Sequence, residues 1–165
     1  VTRAGDALGK LNISDLLGQN GGTILLDIDY TDTYESEADW RLQLSDGTYD
    51  NWIFLGIENG TTCRSYVRVG AVVAFDRNLG LPANTTKLAF RYDSNGTSKT
   101  WVKGTGSVAH PETFGAFTSP LKNLYLTGSN PTTISTNDGI SLRLGPVILT
   151  KKLFSDGEIE NWINS

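Results

Sequence analysis

Hydrophobic and polar residues alternate along several short segments of this chain, as they do in strands with one buried face. Ile24, Leu26, Ile28 and Tyr30 point one way while Asp27 and Asp29 point the other, so the apolar side chains are expected to face a core. The same alternation occurs over 40–44, 88–92 and 140–144. Turn-forming clusters such as Asp93-Ser94-Asn95-Gly96 separate the segments. This spacing predicts an all-β sandwich or barrel.

Residues 51–57 follow a different pattern, because this segment is apolar on both faces. Ile53, Leu55 and Ile57 share one face, while Trp52 and Phe54 lie on the other. The first set fits a sandwich core, and the second set falls on the outer side of the sheet. The segment is therefore predicted to be a strand with aromatic rings on its outer side.

Other stretches are assigned from their turns and composition. Residues 88–92 and 99–104 are expected to form a hairpin through Asn95-Gly96, and 67–75 reads as strand broken at Gly70. The Gly-, Pro- and Thr-rich stretch 105–120 reads as a long loop, and Leu124 and Leu126 as a short strand.

The end of the chain predicts a short helix. Ser155 and Glu158 have the spacing of a capping box, in which each side chain satisfies a backbone N–H at the helix start. Phe154 and Ile159 have the spacing of a hydrophobic staple. The helix is therefore expected to begin at Ser155, with its apolar residues packed against the sandwich.

Composition limits the class of protein. The 165 residues suffice for one domain with a real core, and 1–20 are expected to lead in from a preceding domain, leaving 21–165 as the sandwich. The net charge is −4, and the basic residues are scattered, which argues against nucleic-acid binding. No run of about 18 apolar residues predicts a membrane span. The absence of methionine indicates a fragment or a processed product.

Carboxylates are the first candidates for chemistry, since glycoside hydrolases use a pair of them. Asp27 and Asp29 share one strand face, and Glu37 belongs to a nearby acidic stretch. The Glu-x-Asp-x-x-Glu arrangement of sandwich glucanases is absent, so solvated acidic residues are favoured and no catalytic residue is assigned. A calcium site from Asp27, Asp29, Asp32 or Asp39 lacks a compact ligand loop, so no metal site is assigned either.

The chain has a single cysteine and a single histidine, which excludes an internal disulfide and most metal sites built from several histidines. Cys63 has no partner for an internal disulfide and is expected to be a small, half-buried side chain. His110 precedes Pro111 in the predicted loop and is expected at the surface rather than as a catalytic base. Nothing around it predicts a nucleophile elbow.

Outward aromatic and basic residues are the most informative candidates, because planar rings stack on sugars while polar neighbours bind hydroxyl groups. The alternative is that this surface is covered by a loop, by the terminal helix or by a neighbouring subunit, and the residues alone leave both interpretations open. The residues expected to point outward are Trp52, Phe54, Trp101, Arg41, Arg68, Arg91 and Arg143.

Taken in order, several segments resemble the concanavalin A-like lectin/glucanase superfamily, and more narrowly the laminin-G-like jelly rolls of phage tail fibres, tail spikes and other virion proteins. The resemblance covers about Gly22 to Ile163, with Lys103 where Asn is usual and Phe154 where Leu is commoner. It implies a two-sheet antiparallel β-sandwich, a jelly roll, with a short C-terminal helix. The segments that carry it are 87–96, 101–104, 124–128 and 145–159.

Together these points predict a non-catalytic, lectin-like domain on a phage tail fibre, spike or other virion surface, extracellular and acting as a homotrimer without a cofactor. It would bind host-surface glycan by stacking on Trp52 and Trp101, with polar help from Arg41, Asp39 and Arg91. One alternative is a structural module for capsid decoration or fibre assembly. Another, less favoured, is hydrolysis of a polysaccharide by the acidic residues named above.

Overall fold

A computed structural model describes residues 8–29, 40–58, 61–81, 87–126 and 143–165. The described part consists of strands with one helix at its end. The elements are β1 Leu8–Leu11, β2 Gly21–Asp29, β3 Trp40–Ser45, β4 Trp52–Glu58, β5 Thr62–Val69, β6 Val72–Gly80, β7 Lys87–Asp93, β8 Ser98–Val102, β9 Gly106–His110, β10 Asn123–Leu126, β11 Arg143–Thr150 and α1 Asp156–Asn164.

The strands form two antiparallel sheets packed face to face. One sheet has six strands in the order β1-β10-β3-β4-β5-β6, and the other has five in the order β11-β2-β7-β8-β9. Their inner faces share one large apolar core. This arrangement confirms the predicted two-sheet antiparallel sandwich with a short C-terminal helix.

The predicted alternation places the core side chains correctly. Ile24, Leu26 and Ile28 of β2 are fully buried between the sheets, as are Ile53 and Leu55 of β4. Leu42, Leu44, Leu88, Phe90 and Tyr92 complete the same pattern on β3 and β7. Fully burying an aliphatic side chain contributes about 1.5 to 3 kcal/mol, so the inner faces supply most of the driving force for this packing. Residues 140 and 142 lie outside the described residues.

The C-terminal helix begins as predicted. Ser155 is the N-cap, its hydroxyl accepts the backbone N–H of Glu158, and the Glu158 carboxylate accepts the backbone N–H of Ser155 in return. Ile159 and Ile163 are buried against the outer face of the five-stranded sheet, with Phe154 packed beside them. The helix therefore covers this face, as the sequence indicated.

Residues 8–17, which were expected to belong to a lead-in, pack as part of the sandwich. β1 pairs with β10 at one edge of the six-stranded sheet, and Ile13 and Leu17 are buried in the main core. The backbone N–H of Ile13 donates to Lys122 O, which ties the segment to the residues just before β10. The packing therefore continues across position 20 without a break. The expected preceding domain stays a prediction.

The predicted long loop over 105–120 contains a strand. β9 pairs with β8 and forms the edge of the five-stranded sheet. An edge strand needs little apolar side-chain area when its backbone is paired, so Gly106 and Ser107 suffice for exposed positions. Within the described residues, no helix is long and apolar enough to cross a membrane.

Candidate functional site

An aromatic cluster of Trp52, Phe54 and Tyr66 lies on the six-stranded sheet, separate from the main core. Phe54 and Tyr66 are stacked with centroids 5.0 Å apart, and the Trp52 ring lies 4.9 Å from Tyr66. Trp52 is only 8% exposed, so little of its ring is free for a sugar to stack on. The alternation of β4 explains the placement, because its inner residues fill the core and Trp52 and Phe54 must face away from it.

Arginines occupy strand positions next to the aromatic cluster. In strand register, Arg41 of β3 and Arg64 of β5 stand on either side of Gly56 of β4. The Arg64 guanidinium lies 5.2 Å from the centroid of Phe54, within cation–π range.

Acidic neighbours hold the Arg64 side chain in place. Its Nε lies 2.6 Å from Asp76 Oδ1, and its Nη1 lies 2.6 Å from Glu58 Oε1. The hydrogen bonds that Arg64 donates to Asp76 and then to Glu58 outweigh burial and raise the pKa of Arg64, so it stays charged. Arg64 is thus a fixed cation whose charge is already balanced.

Arg68 differs from Arg64, because one of its buried donors has no partner. Arg68 stands directly opposite Trp52 in the β4–β5 register. Within the part of the chain that the structure describes, neither Arg68 Nε nor Trp52 Nε1 has a hydrogen-bond acceptor. Leaving a buried donor unpaired costs about 1 to 3 kcal/mol. Both atoms are buried, so an acceptor from outside the chain reaches them only if the side chains that cover them move.

A polar network fixes the loops beside the aromatic cluster. Asp46 accepts hydrogen bonds from Thr48 and from the Asn51 side chain, both at 2.8 Å, and Asn51 also donates to Thr118 Oγ1 at 2.8 Å. Burial raises the pKa of Asp46, but the hydrogen bonds from Asn51 and Thr48 outweigh it and leave the pKa below its usual value. The loop carries Tyr49, whose exposed ring meets the ring of Trp52 edge-on at 6.2 Å.

Trp101 lies on the outer face of the other sheet, under α1. It is 2% exposed, and the cationic groups of Arg91 and Lys99 lie 5.3 and 5.0 Å from its ring centroid. Both cations also pair with Asp156, at 2.7 and 2.8 Å. The hydrogen bond from Lys99, and then that from Arg91, lower the pKa of Asp156 below its usual value. These contacts anchor the start of the helix.

The structure therefore does not bring all the predicted binding residues together. Trp52 and Arg41 belong to the six-stranded sheet, whereas Trp101 and Arg91 belong to the five-stranded sheet and are covered by the helix. Asp39 lies outside the described residues. Of the two interpretations left open by the sequence, coverage by the terminal helix applies to Trp101. The ligand-binding role of each residue stays a prediction.

Tyr66, Arg64 and Arg68 were missing from the residues expected to bind ligand, although Arg68 was among those expected to point outward. The signal for them was available in the sequence, because Arg64, Tyr66 and Arg68 alternate along β5 with buried residues between them. That period of two places all three on the same face as Trp52 and Phe54. Only the pairing of β5 with β4, which the local pattern does not specify, shows that the five residues are neighbours.

Of the acidic residues considered for chemistry, Asp27 is the one whose side chain the structure describes. Glu37 and Asp32 lie outside the described part, and Asp27 is half-buried with its carboxylate close to Gly145. Among the described residues, no group of three or more His, Cys, Asp or Glu side chains could hold a metal ion.

His110 was expected at the surface, and this expectation is wrong. It is fully buried between the sheets, stacked on Phe75 with centroids 4.5 Å apart, and its Nε2 lies 2.8 Å from Thr100 Oγ1. Burial, with a smaller effect of the Arg77 charge, lowers the pKa of His110 to about 4. A neutral, buried imidazole at the end of an edge strand contributes to packing rather than to acid–base chemistry.

The described strands define a two-sheet antiparallel jelly roll with an arginine-flanked aromatic cluster on one outer face. Solved structures share this fold. The CBM40 domain of the Ruminococcus gnavus IT-sialidase, solved bound to α2,3-sialyllactose, aligns with a TM-score of 0.67 and 16% identity over 94% of this chain and 97% of that chain. The binding domain of botulinum neurotoxin serotype D aligns with a TM-score of 0.67 and 12% identity over 99% of this chain and 41% of that one.

A third similar structure is the NanB sialidase of Streptococcus pneumoniae, with a TM-score of 0.63 and 15% identity over 94% of this chain and 27% of that chain. No protein-family model and no curated protein sequence matches the chain. At these low identities the alignments show a shared fold. The predicted relation to phage proteins stays a prediction.

Proposed function

We propose that this protein is a non-catalytic glycan-binding domain, and that it recognises a carboxylate-bearing sugar such as sialic acid at the aromatic cluster. The single observation that carries the proposal is the pair of buried, unpaired donors on Trp52 and Arg68. If the Trp52 ring and its neighbours shift enough to uncover these two atoms, a sugar carboxylate or hydroxyl would accept from both, and a charged acceptor would form the stronger bond with the guanidinium. Similar structures were solved with α2,3- and α2,6-sialyllactose, which supports this class of ligand.

The surroundings of these donors favour an anionic ligand over a neutral one. Arg64 is already neutralised by Glu58 and Asp76, whereas no ion pair between described residues involves Arg68, and an anionic ligand would pair with it. The neighbouring Tyr49 has an exposed ring, which could contact the apolar face of a second sugar in the same glycan. The nearby polar network keeps this loop in one arrangement, so little order has to be gained on binding.

Sialyllactose and lactose should distinguish the anionic from the neutral ligand in isothermal titration calorimetry. Binding of sialyllactose but not lactose is expected. Trp52→Phe keeps an aromatic ring but removes one orphan donor, and should weaken binding about tenfold, which corresponds to about 1.4 kcal/mol. Trp101→Phe is the matched control on the opposite face and should leave affinity unchanged. Equal affinity in the wild type and Trp52→Phe would refute the assignment of the site.

We further propose that the domain is displayed as a homotrimer on a phage tail fibre, spike or other virion surface, where several weak sites act together. Support for this comes from the sequence resemblance. Light scattering coupled to gel filtration should give three times the mass of the chain. A monomeric mass at micromolar concentration would contradict the trimer.

A structural role in fibre or capsid assembly is the second candidate. It is favoured by β6, an edge strand of the six-stranded sheet that begins with two exposed valines, of which Val72 is 67% exposed. Exposed apolar side chains on an edge strand promote pairing with another chain. If assembly uses this edge, Val72→Lys should dissociate the oligomer while leaving glycan affinity per chain unchanged.

A further inference from the structure

A polar cleft of about 270 Å³ opens at one end of the five-stranded sheet, on the opposite sheet from the aromatic cluster. It lies where the start of β2, the β7–β8 turn and the segment after β11 come together. The side chains that line it are Gln19, Asn20, Asp93, Asn95, Lys151 and Leu153.

Hydrogen bonds to backbone carbonyl groups hold the walls of the cleft in place. The Tyr92 hydroxyl donates to Gly18 O at 2.7 Å, and Ser94 N–H donates to Asn20 O at 2.8 Å. Gly18 packs so closely that an added Cβ would lie 2.4 Å from Gly21 O. The cleft is therefore formed by the fold itself and does not depend on a ligand to assemble it.

The side chains of the cleft offer both donors and acceptors. Asn20 and Asn95 carry exposed amides, and Asp93 uses one carboxylate oxygen to accept Asn95 N–H at 2.9 Å. Among the described residues, neither Asp93 nor Lys151 takes part in an ion pair. Leu153 adds an exposed apolar surface at the margin. One carboxylate and one ammonium group leave the lining with no net charge.

We propose that this cleft is a second carbohydrate subsite, and that it takes a single neutral, hydroxyl-rich sugar unit. Amide and carboxylate groups suit sugar hydroxyls because each hydroxyl both donates and accepts a hydrogen bond. The volume falls just below the range of about 300 to 1,000 Å³ for pockets of drug-sized ligands, so it fits one ring rather than an oligosaccharide. The balanced charge of Asp93 and Lys151 gives no preference for an acidic sugar.

This subsite is independent of the acidic-glycan site proposed above, because it lies on the other sheet. Its lining has no net charge, whereas the aromatic cluster offers the charge of Arg68. A glycan with both an acidic and a neutral sugar could not reach both places as a short unit. The two sites would instead bind separate branches or separate chains, which raises avidity without any new contact.

Proton–nitrogen correlation spectra of the isotope-labelled chain test the cleft directly. Methyl galactoside, methyl glucoside and methyl mannoside are titrated separately, and at least one should shift the backbone amides of 18–21, 93–96 and 151–153 in a saturable manner. Asn20→Ala and Asn95→Ala should each weaken that sugar about fivefold, because each loses one hydrogen bond. Both variants keep their backbone, so the hydrogen bond from Ser94 N–H to residue 20 remains.

Asn161→Ala on the exposed side of α1 is the matched control and should leave the affinity unchanged. If none of the three sugars causes saturable shifts at the cleft amides, the proposal is overturned. It is also overturned if Asn20→Ala and Asn95→Ala bind the sugar with the same affinity as the wild type. The indole signal of Trp52 in the same spectra reports sialyllactose at the aromatic cluster. The spectra therefore show separately whether sugar binds at the cleft and whether sialyllactose binds at the aromatic cluster.

Discussion

Acidification should destabilise this fold through the buried imidazole of His110. Its Nε2 lies 2.8 Å from Thr100 Oγ1 and 3.3 Å from Ser65 Oγ. Its Nδ1 is buried and has no acceptor among the described residues. An imidazolium would place a donor on both nitrogens, so one N–H would be left unpaired inside the core. The folded protein therefore holds His110 in the neutral form, and the nearby charge of Arg77 acts in the same direction.

The direction and the size of the effect follow from the two protonation states. The pKa of His110 is about 4 when folded, against 6.5 for an unperturbed imidazole. Between these values the unfolded chain takes up a proton that the folded chain does not, so the free energy of unfolding falls as the pH is lowered. At about 1.4 kcal/mol per unit, the loss approaches 3 kcal/mol near pH 4. About 2 kcal/mol of it occurs above pH 5, before carboxyl groups contribute.

Urea unfolding followed by tryptophan fluorescence at a series of pH values measures this loss. His110→Phe is the informative variant, because it keeps a ring against Phe75 and leaves the hydrogen bond from Thr100 to Ser65 in place. Its free energy of unfolding should be nearly constant between about pH 7 and pH 5, while that of the wild type falls. Parallel curves for the two proteins over this range would refute the reasoning.

Three other expectations concern the helix and the core. Ile163→Ala should cost about 2 to 4 kcal/mol in urea unfolding, because the side chain is buried against the sheet, and a loss below about 1 kcal/mol would contradict that packing. Ser155→Ala should cost about 1 kcal/mol through loss of the N-cap, whereas Ser165→Ala should cost less. Burial raises the pKa of Cys63 to about 12, so an aromatic disulfide reagent should react with it only after unfolding, and immediate reaction in native buffer would be inconsistent with this.

Local patterns predict the faces of strands well but not the sheet to which each strand belongs. The period of two in β4 correctly separates Ile53 from Trp52, and the capping residues correctly place the start of α1. Trp52 and Trp101 have the same local signal of an outward ring. Their separation onto different sheets depends on pairing between distant strands, which alternation does not encode.

His110 shows the same limit for burial. Its local sequence has the composition of a loop, and nothing within a few residues indicates a core. Burial comes from the pairing of β9 with β8 and from the ring of Phe75 on the opposite sheet. The neutral, buried state is thus a property of contacts that are distant in sequence, and only the assembled sandwich reveals it.

The pairing of β1 with β10 and of β2 with β11 has a consequence for how the chain folds. Each sheet joins a strand from the beginning of the sequence to one from near its end. Such contacts close very long loops, and the loss of chain entropy precedes most of the gain from pairing, so folding is expected to be slow. Until residues 143–165 are in place, β2 lacks its edge partner β11 and Trp101 lacks its cover α1. The outer apolar face of the five-stranded sheet therefore stays exposed until this last segment docks.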